Sequence, residues 1–354
     1  MRSLLVATVV VLSSCAEQPK KVAVVAAVDR DPALDRKLAE HRALMVELRD
    51  KQEAFLAAEV AYEQRKGEYL DALSTGLAGA RGVRPVALKT VLTMAGERGA
   101  IGSDLEASLR AVGDALLERA AAEGKMLGVE GRLWQEEAEA WGGHAAAGAH
   151  VASDVLALRD ALTNLHVAQK AQQASLGALV TKEFEFNASI GEDTHARDFA
   201  DRQLTLLRTD VEGRYDAMIE AAKVYDAASD RVHRRLLKDL PPGKPLAADR
   251  IRALLIDRDA AAATVAAARA KLKEAVVRRA ELRQREIAHD GEMAALLDGA
   301  FRDGPDRDAF LLRMRDKRDE ASAARVATQN AETALGAVRK KMATVEGDIT
   351  ALGY

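Results

Sequence analysis

Apolar side chains recur in alternating steps of three and four through stretches of about forty residues, and no proline falls inside those stretches. A seam of that period commits a chain to long helices that each bury one stripe against another helix. The clearest start is Asp31-Pro32, a capping residue followed by proline at the first helical position. From there one row steps by seven through Leu34, His41, Leu48, Phe55, Tyr62 and Tyr69. Its companion row runs through Leu38, Met45, Gln52, Glu59, Lys66 and Leu73. The seven prolines stand at 19, 32, 85, 241, 242, 245 and 305, where the seams pause. A helix interior rejects proline by about 3 kcal/mol, so these positions mark joints. Aromatic residues make up only 4% of the chain, too few for a sandwich or barrel of strands.

The pattern predicts a first helix over 32–74, then a less regular stretch broken by Gly76, Gly79, Gly82 and Pro85, with a short helix over 86–95. Ser103 followed by Glu106 reads as a capping box that opens a second long helix, closed by Gly142-Gly143. Fourteen of the 24 glycines lie between 67 and 148, where bending and mobility are expected. The cleanest seam runs from Val155 through Leu158, Leu162, Leu165, Leu176 and Leu179 to Ile190. Asp193 or Thr194 caps the next helix, which Pro241-Pro242-Gly243 stops. A fifth seam covers about 247–298, and a sixth runs from Phe310 to Leu352. The joints, near 80, 142, 192, 242 and 303, are evenly spaced. The expected fold is all-α: one elongated antiparallel bundle of about six long, coiled-coil-like helices over 32–354, with its glycine-rich part at 76–152.

The first residues carry a different message. Met1-Arg2-Ser3 is a short cationic start, and Leu4 to Leu12 is an apolar run broken only by Thr8. Nine residues cannot span a bilayer core of about 30 Å as a helix. The pattern is that of a signal peptide over 1–14. It ends in Leu12-Ser13-Ser14-Cys15, which resembles the lipobox of bacterial lipoproteins. That resemblance implies a diacylglycerol thioether on Cys15, cleavage before it, and acylation of the freed amine. Cys15 is also the only cysteine, so no disulfide framework exists within the chain. Two or three acyl chains anchor firmly where one is marginal. Ala16 follows the cysteine where an aspartate resembles an inner-membrane retention signal. By that analogy the protein goes to the periplasmic face of the outer membrane, or to the outer face of the membrane in a cell with only one. Residues 15–31 read as a tether, with Lys20 and Lys21 near headgroups and the apolar run 22–28 either on the bundle or on the membrane.

Chemistry is sparse. No nucleophile elbow, phosphate loop, dinucleotide fingerprint or zinc-protease pattern occurs, and no enzyme is expected. Glu192/His195 and Glu286/His289 both read E-x-x-H, but too many histidines and glutamates are present for that to indicate a metal. No metal or other cofactor is expected. Residues 231–285 carry 15 Lys or Arg against six Asp or Glu, while 103–140 carry four against nine. These stretches either complement one another inside the bundle or offer a basic face to an anionic polymer. With a net charge of −3 and an exported destination, nucleic acid is excluded as a partner. Trp134 and Trp141 share a helix face and read as bundle packing or as an anchor for a docking partner. Gln52, Glu59, Lys66, Gln169 and Gln172 place polar groups on seams, either fixing register or lining a polar channel. The leading expectation is a lipid-anchored structural or interaction protein of the cell envelope, tethering a protein or cell-wall partner. The first alternative is a periplasmic ligand-binding or sensory bundle with a polar cavity lined by Gln52, Gln169 and Gln172. The second is a membrane-remodelling or pore-forming helical protein.

Overall fold

The computed structural model describes residues 32–189, 194–302 and 304–351. Among them the chain is all-helical, with eight helices. Six are long: α1 (Pro32–Gly79), α2 (Pro85–Trp141), α4 (Ala152–Ser189), α5 (Thr194–Lys238), α6 (Pro245–Ala300) and α8 (Arg315–Ala351). Two are short, α3 (His144–His150) and α7 (Gly304–Arg313). At 1.5 Å per residue, the 57 residues of α2 extend about 85 Å. Among the described residues no helix is long and apolar enough to cross a membrane.

Local chemistry sets the joints. Pro85 and Pro245 occupy the first turns of α2 and α6, where proline's missing N–H costs nothing, and Arg84 before Pro85 is extended, with ψ 127°. Gly142 closes α2 in the left-handed region at φ 82°, and the Gly143 N–H reaches back to Ala138 O at 2.7 Å. At the far end the α1–α2 and α6–α7 turns are stitched together. The Arg84 N–H donates to Ala300 O at 2.9 Å, and the Arg302 N–H to Gly82 O at 3.0 Å.

One expected helix start is corrected. Ser103 does not open a helix: α2 runs unbroken from Pro85, and a serine with a glutamate three residues on is as compatible with a helix interior as with a cap. The glycine-rich stretch holds the turns at 80–84 and 142–143 and the break at Val151, while within α2 two of its glycines answer a need of α1. A Cβ on Gly113 would sit 2.7 Å from Gln52 Nε2, and one on Gly124 would sit 3.0 Å from His41 Cε1. Besides the six long helices, the described residues hold two short ones: α3, which precedes the predicted third segment, and α7, which Met314 sets off from the sixth.

The long helices neighbour one another in the order α8, α1, α2, α6, α5, α4. Ion pairs show that neighbours run antiparallel. Lys37 meets Asp348 and Arg65 meets Glu320 between α1 and α8. Arg250–Glu136, Arg258–Glu130 and Arg269–Glu123 climb the α2–α6 pair. Arg258 and Arg269 of α6 are thus answered inside the bundle by the acidic stretch of α2, while Arg250 and Lys271 meet Glu136 and Glu118 nearer its surface. One apolar core draws residues from all six long helices, among them Leu48, Leu109, Leu165, Val211, Leu272 and Val338. The ring closes poorly in one place. Helices α4 and α8 have little close backbone approach, and Leu158, Leu162 and Leu176 of α4 are only half-buried. The cleanest seam in sequence therefore borders the place where the ring closes poorly.

Candidate functional site

Seven-residue spacing carries Gln52, Glu59 and Lys66 down the inner face of α1, and their surroundings differ sharply. Glu59 and Lys66 belong to a buried ionic layer with Glu63 of α1, Arg98 of α2, and Arg283, Glu286 and Asp290 of α6. Glu286 is fully buried and is contacted by Lys66 Nζ at 2.9 Å and by the guanidinium groups of Arg98 and Arg283. Arg98 also donates from Nε to Asp290 at 2.9 Å and from Nη2 to Glu63 at 3.0 Å. Arg283 reaches Glu59, and Lys66 reaches Asp290. Every charge in the layer has an opposite partner, as burial demands.

The titration of the layer follows from its arithmetic. Four carboxylates face three cations. Burial opposes the charge of Glu286, but Arg283, Lys66 and Arg98 outweigh it and hold this carboxyl well below the usual range. Glu63 carries the surplus: burial, then the charge of Glu286, push it up to about 7. With Glu63 protonated, three carboxylates balance three cations.

Gln52 lies in a cavity instead. This internal space holds about 90 Å³ of room for the centres of water molecules, and all six long helices contribute to it. Gln52 comes from α1, Arg119 from α2, Gln169 and Gln172 from α4, Tyr215 from α5, Arg279 from α6 and Arg339 from α8. The three glutamines picked out in the sequence therefore meet in one place. Gln52 is 2% exposed and its Oε1 has no hydrogen-bond partner. The Nε atoms of Arg119 and Arg339 are likewise buried and unpartnered. Arg119 Nε lies 3.4 Å from Glu123 Oε2 without the alignment of a hydrogen bond. Glu123 raises the Arg119 pKa further, while the charges of Arg119 and Arg269 outweigh burial and lower that of Glu123. The remaining wall is apolar, with Phe55, Leu109, Leu116 and Leu272. Sequence reasoning missed all three arginines and the tyrosine, because nothing along the chain marks which charged residues a distant helix will enclose.

A groove of about 310 Å³ between α4 and α8 shares Gln173, Leu176, Val180, Glu332 and Arg339 with the cavity and leads to solvent. Few contacts cross this side of the ring. The Arg325 Nη1 donates to Phe184 O at 3.4 Å, and Gly347 leaves room for the His166 ring.

Trp134 and Trp141 are half-buried and have partners within the molecule. The Trp134 ring meets His233 edge-on at 4.9 Å, and His233 Nδ1 lies 2.8 Å from Glu137, with both residues fully buried. The Trp141 Nε1 donates to Leu236 O at 3.3 Å, and its ring lies 4.3 Å from that of His150. His150 ends α3 and lies 3.1 Å from Asp239. Of the E-x-x-H pairs, Glu286 is engaged by three cations, His289 stands 3.8 Å from Glu97, and Glu192 lies outside the described residues. Leu12, Ser13, Ser14, Cys15 and the tether 15–31 also lie outside them. No protein-family description, no curated protein and no solved structure matches this chain.

Proposed function

We propose that this protein is a lipid-anchored, non-enzymatic helical scaffold of the bacterial cell envelope. The observation that carries the reading is Leu12-Ser13-Ser14-Cys15 behind a short cationic and apolar leader, with Cys15 the sole cysteine. Acyl chains on Cys15 hold one end at a membrane, and residues 15–31 form the tether. The six long helices form an elongated antiparallel bundle with coiled-coil-like seams, which presents its surface to an envelope protein or a cell-wall polymer. The buried ionic layer supports such a role, since a register locked by interdependent charge pairs suits a spacer that must hold its length. In a diderm cell the anchor sits in the periplasmic face of the outer membrane, and otherwise on the outer face of the cytoplasmic membrane.

The test is chemical. Cells expressing the chain are fed a clickable palmitate analogue, and the mature N-terminus is read by mass spectrometry. The wild type carries label on Cys15 and partitions into detergent. Cys15→Ser loses the label and is left uncleaved or leaves the detergent phase. An unmodified wild-type N-terminus with unchanged partition overturns the reading.

One observation favours a second reading, a ligand-binding bundle: Gln52, Gln169 and Gln172 line a single internal cavity. Scaffold and receptor are compatible in one anchored body.

A further inference from the structure

We infer that the six-helix cavity is a binding site for a small zwitterionic solute of amino-acid size, admitted through the groove between α4 and α8. The inference rests on the ligand-binding reading and adds the ligand's chemistry and its route.

The lining specifies the chemistry. Arg119, Arg279 and Arg339 stand against Glu123, Glu332 and Glu346, so the wall is balanced in charge. A net-neutral ligand keeps that balance, whereas a simple anion or cation would bury an uncompensated charge. The unmet groups are two arginine Nε donors and one amide oxygen acceptor, Gln52 Oε1. A carboxylate answers the donors with charge-assisted bonds, and an ammonium group answers the acceptor. Size adds a limit. A cavity of about 150 Å³ takes a six-carbon ring, so about 90 Å³ suits a solute such as glycine or alanine.

The route is also built in. The groove and the cavity share five wall residues, and the two helices that flank it have little close backbone approach. Gly177 and Gly336 line this groove, and nothing lies within 4 Å of where their Cβ atoms would stand. A larger side chain at either place narrows the mouth without touching the inner wall.

The full-length chain, purified in detergent, is titrated with L-alanine, propionate, ethylamine and propionamide, with binding followed by saturation-transfer NMR. L-alanine is expected to saturate, with the other three at least about ten-fold weaker. Gln52→Met and Arg119→Lys are expected to weaken L-alanine by about ten-fold or more. Gly336→Leu, which guards against a failure of the inner variants to fold, is expected to slow association and dissociation together while affinity stays within about two-fold. Propionamide binding as tightly as L-alanine, with the same sensitivity to Gln52→Met, overturns the zwitterion and keeps the ligand-binding reading. No saturable binding by any of the four overturns both.

Discussion

Two polar layers sit a few helical turns apart on the same face of α1, and they solve the problem of burial in opposite ways. Around Glu59, Glu63 and Lys66, charges from α1, α2 and α6 interlock, and each finds an opposite partner. Around Gln52, six helices leave a space, and a buried amide oxygen and two guanidinium nitrogens have no partner. The first arrangement is filled by charge pairs, although Glu59 Oε2, Glu63 Oε1 and Asp290 Oδ2 in it also lack a hydrogen bond, and removing one member strands the others. The second is open: it carries a standing cost that a bound molecule would relieve. Buried polarity on a helical seam is therefore not one phenomenon, and its partners reveal which kind it is.

The comparison is most easily broken at Glu286. Glu286→Gln leaves Lys66, Arg98 and Arg283 without their shared carboxylate, and is expected to lower unfolding free energy by about 3–5 kcal/mol in urea. A loss below about 1 kcal/mol would mean that water reaches the layer. The apolar walls sharpen it next. Leu165 is 5% exposed, and Leu165→Ala should cost about 2–4 kcal/mol. Half-buried Leu176 borders the cavity and the groove, and Leu176→Ala should cost clearly less in the same melts.

Acidity separates the layers too. The protonated form of Glu63 is favoured in the fold, with its pKa raised from 4.5 to about 7. The stability it contributes is fully present below its ordinary pKa near 4.5 and is lost as pH rises through about 7. The loss amounts to at most about 3 kcal/mol. Glu286, depressed by its three cations, acts with the opposite sign, and its contribution fades only as pH falls below the usual carboxylate range. Urea midpoints should decline from pH 5 to 8 in the wild type and flatten in Glu63→Gln. A slope that survives the substitution assigns the titration elsewhere. The smallest effect belongs to the open layer. Gln52→Met removes an oxygen that has no partner, and is expected to change stability by less than about 1 kcal/mol or to raise it. A loss as large as that of Glu286→Gln would erase the distinction.

Much of the fold is legible in sequence. The proline and glycine joints near 80, 142 and 242 act through local backbone chemistry, and they fall where the helices break. The opposite charges of 103–140 and 231–285 foretell the α2–α6 pairing. Errors arise where meaning comes from a neighbour. Gly113 and Gly124 read as weak helix, yet each makes room for a side chain of α1. Ser103 reads as a cap, but the helix is already running. The seam around Leu176 reads as the cleanest, yet it faces a gap that no property of α4 alone could reveal. Gln52, Glu59 and Lys66 are equivalent along the chain. Only the helices opposite decide that one lines a cavity while the others join an ion network. The Trp141–His150 contact was hidden because a two-residue turn folds α3 back on α2.

The most direct test compares the layers in one experiment. Urea unfolding of the wild type, Glu286→Gln and Gln52→Met is followed with and without saturating L-alanine. Ligand that binds only the folded state stabilises it by an amount set by its concentration relative to its dissociation constant, whatever the starting stability. The account predicts that L-alanine raises the midpoint of the wild type and of the weakened Glu286→Gln by similar amounts, and that of Gln52→Met clearly less. An equal response from all three proteins, or none from the wild type, would contradict it.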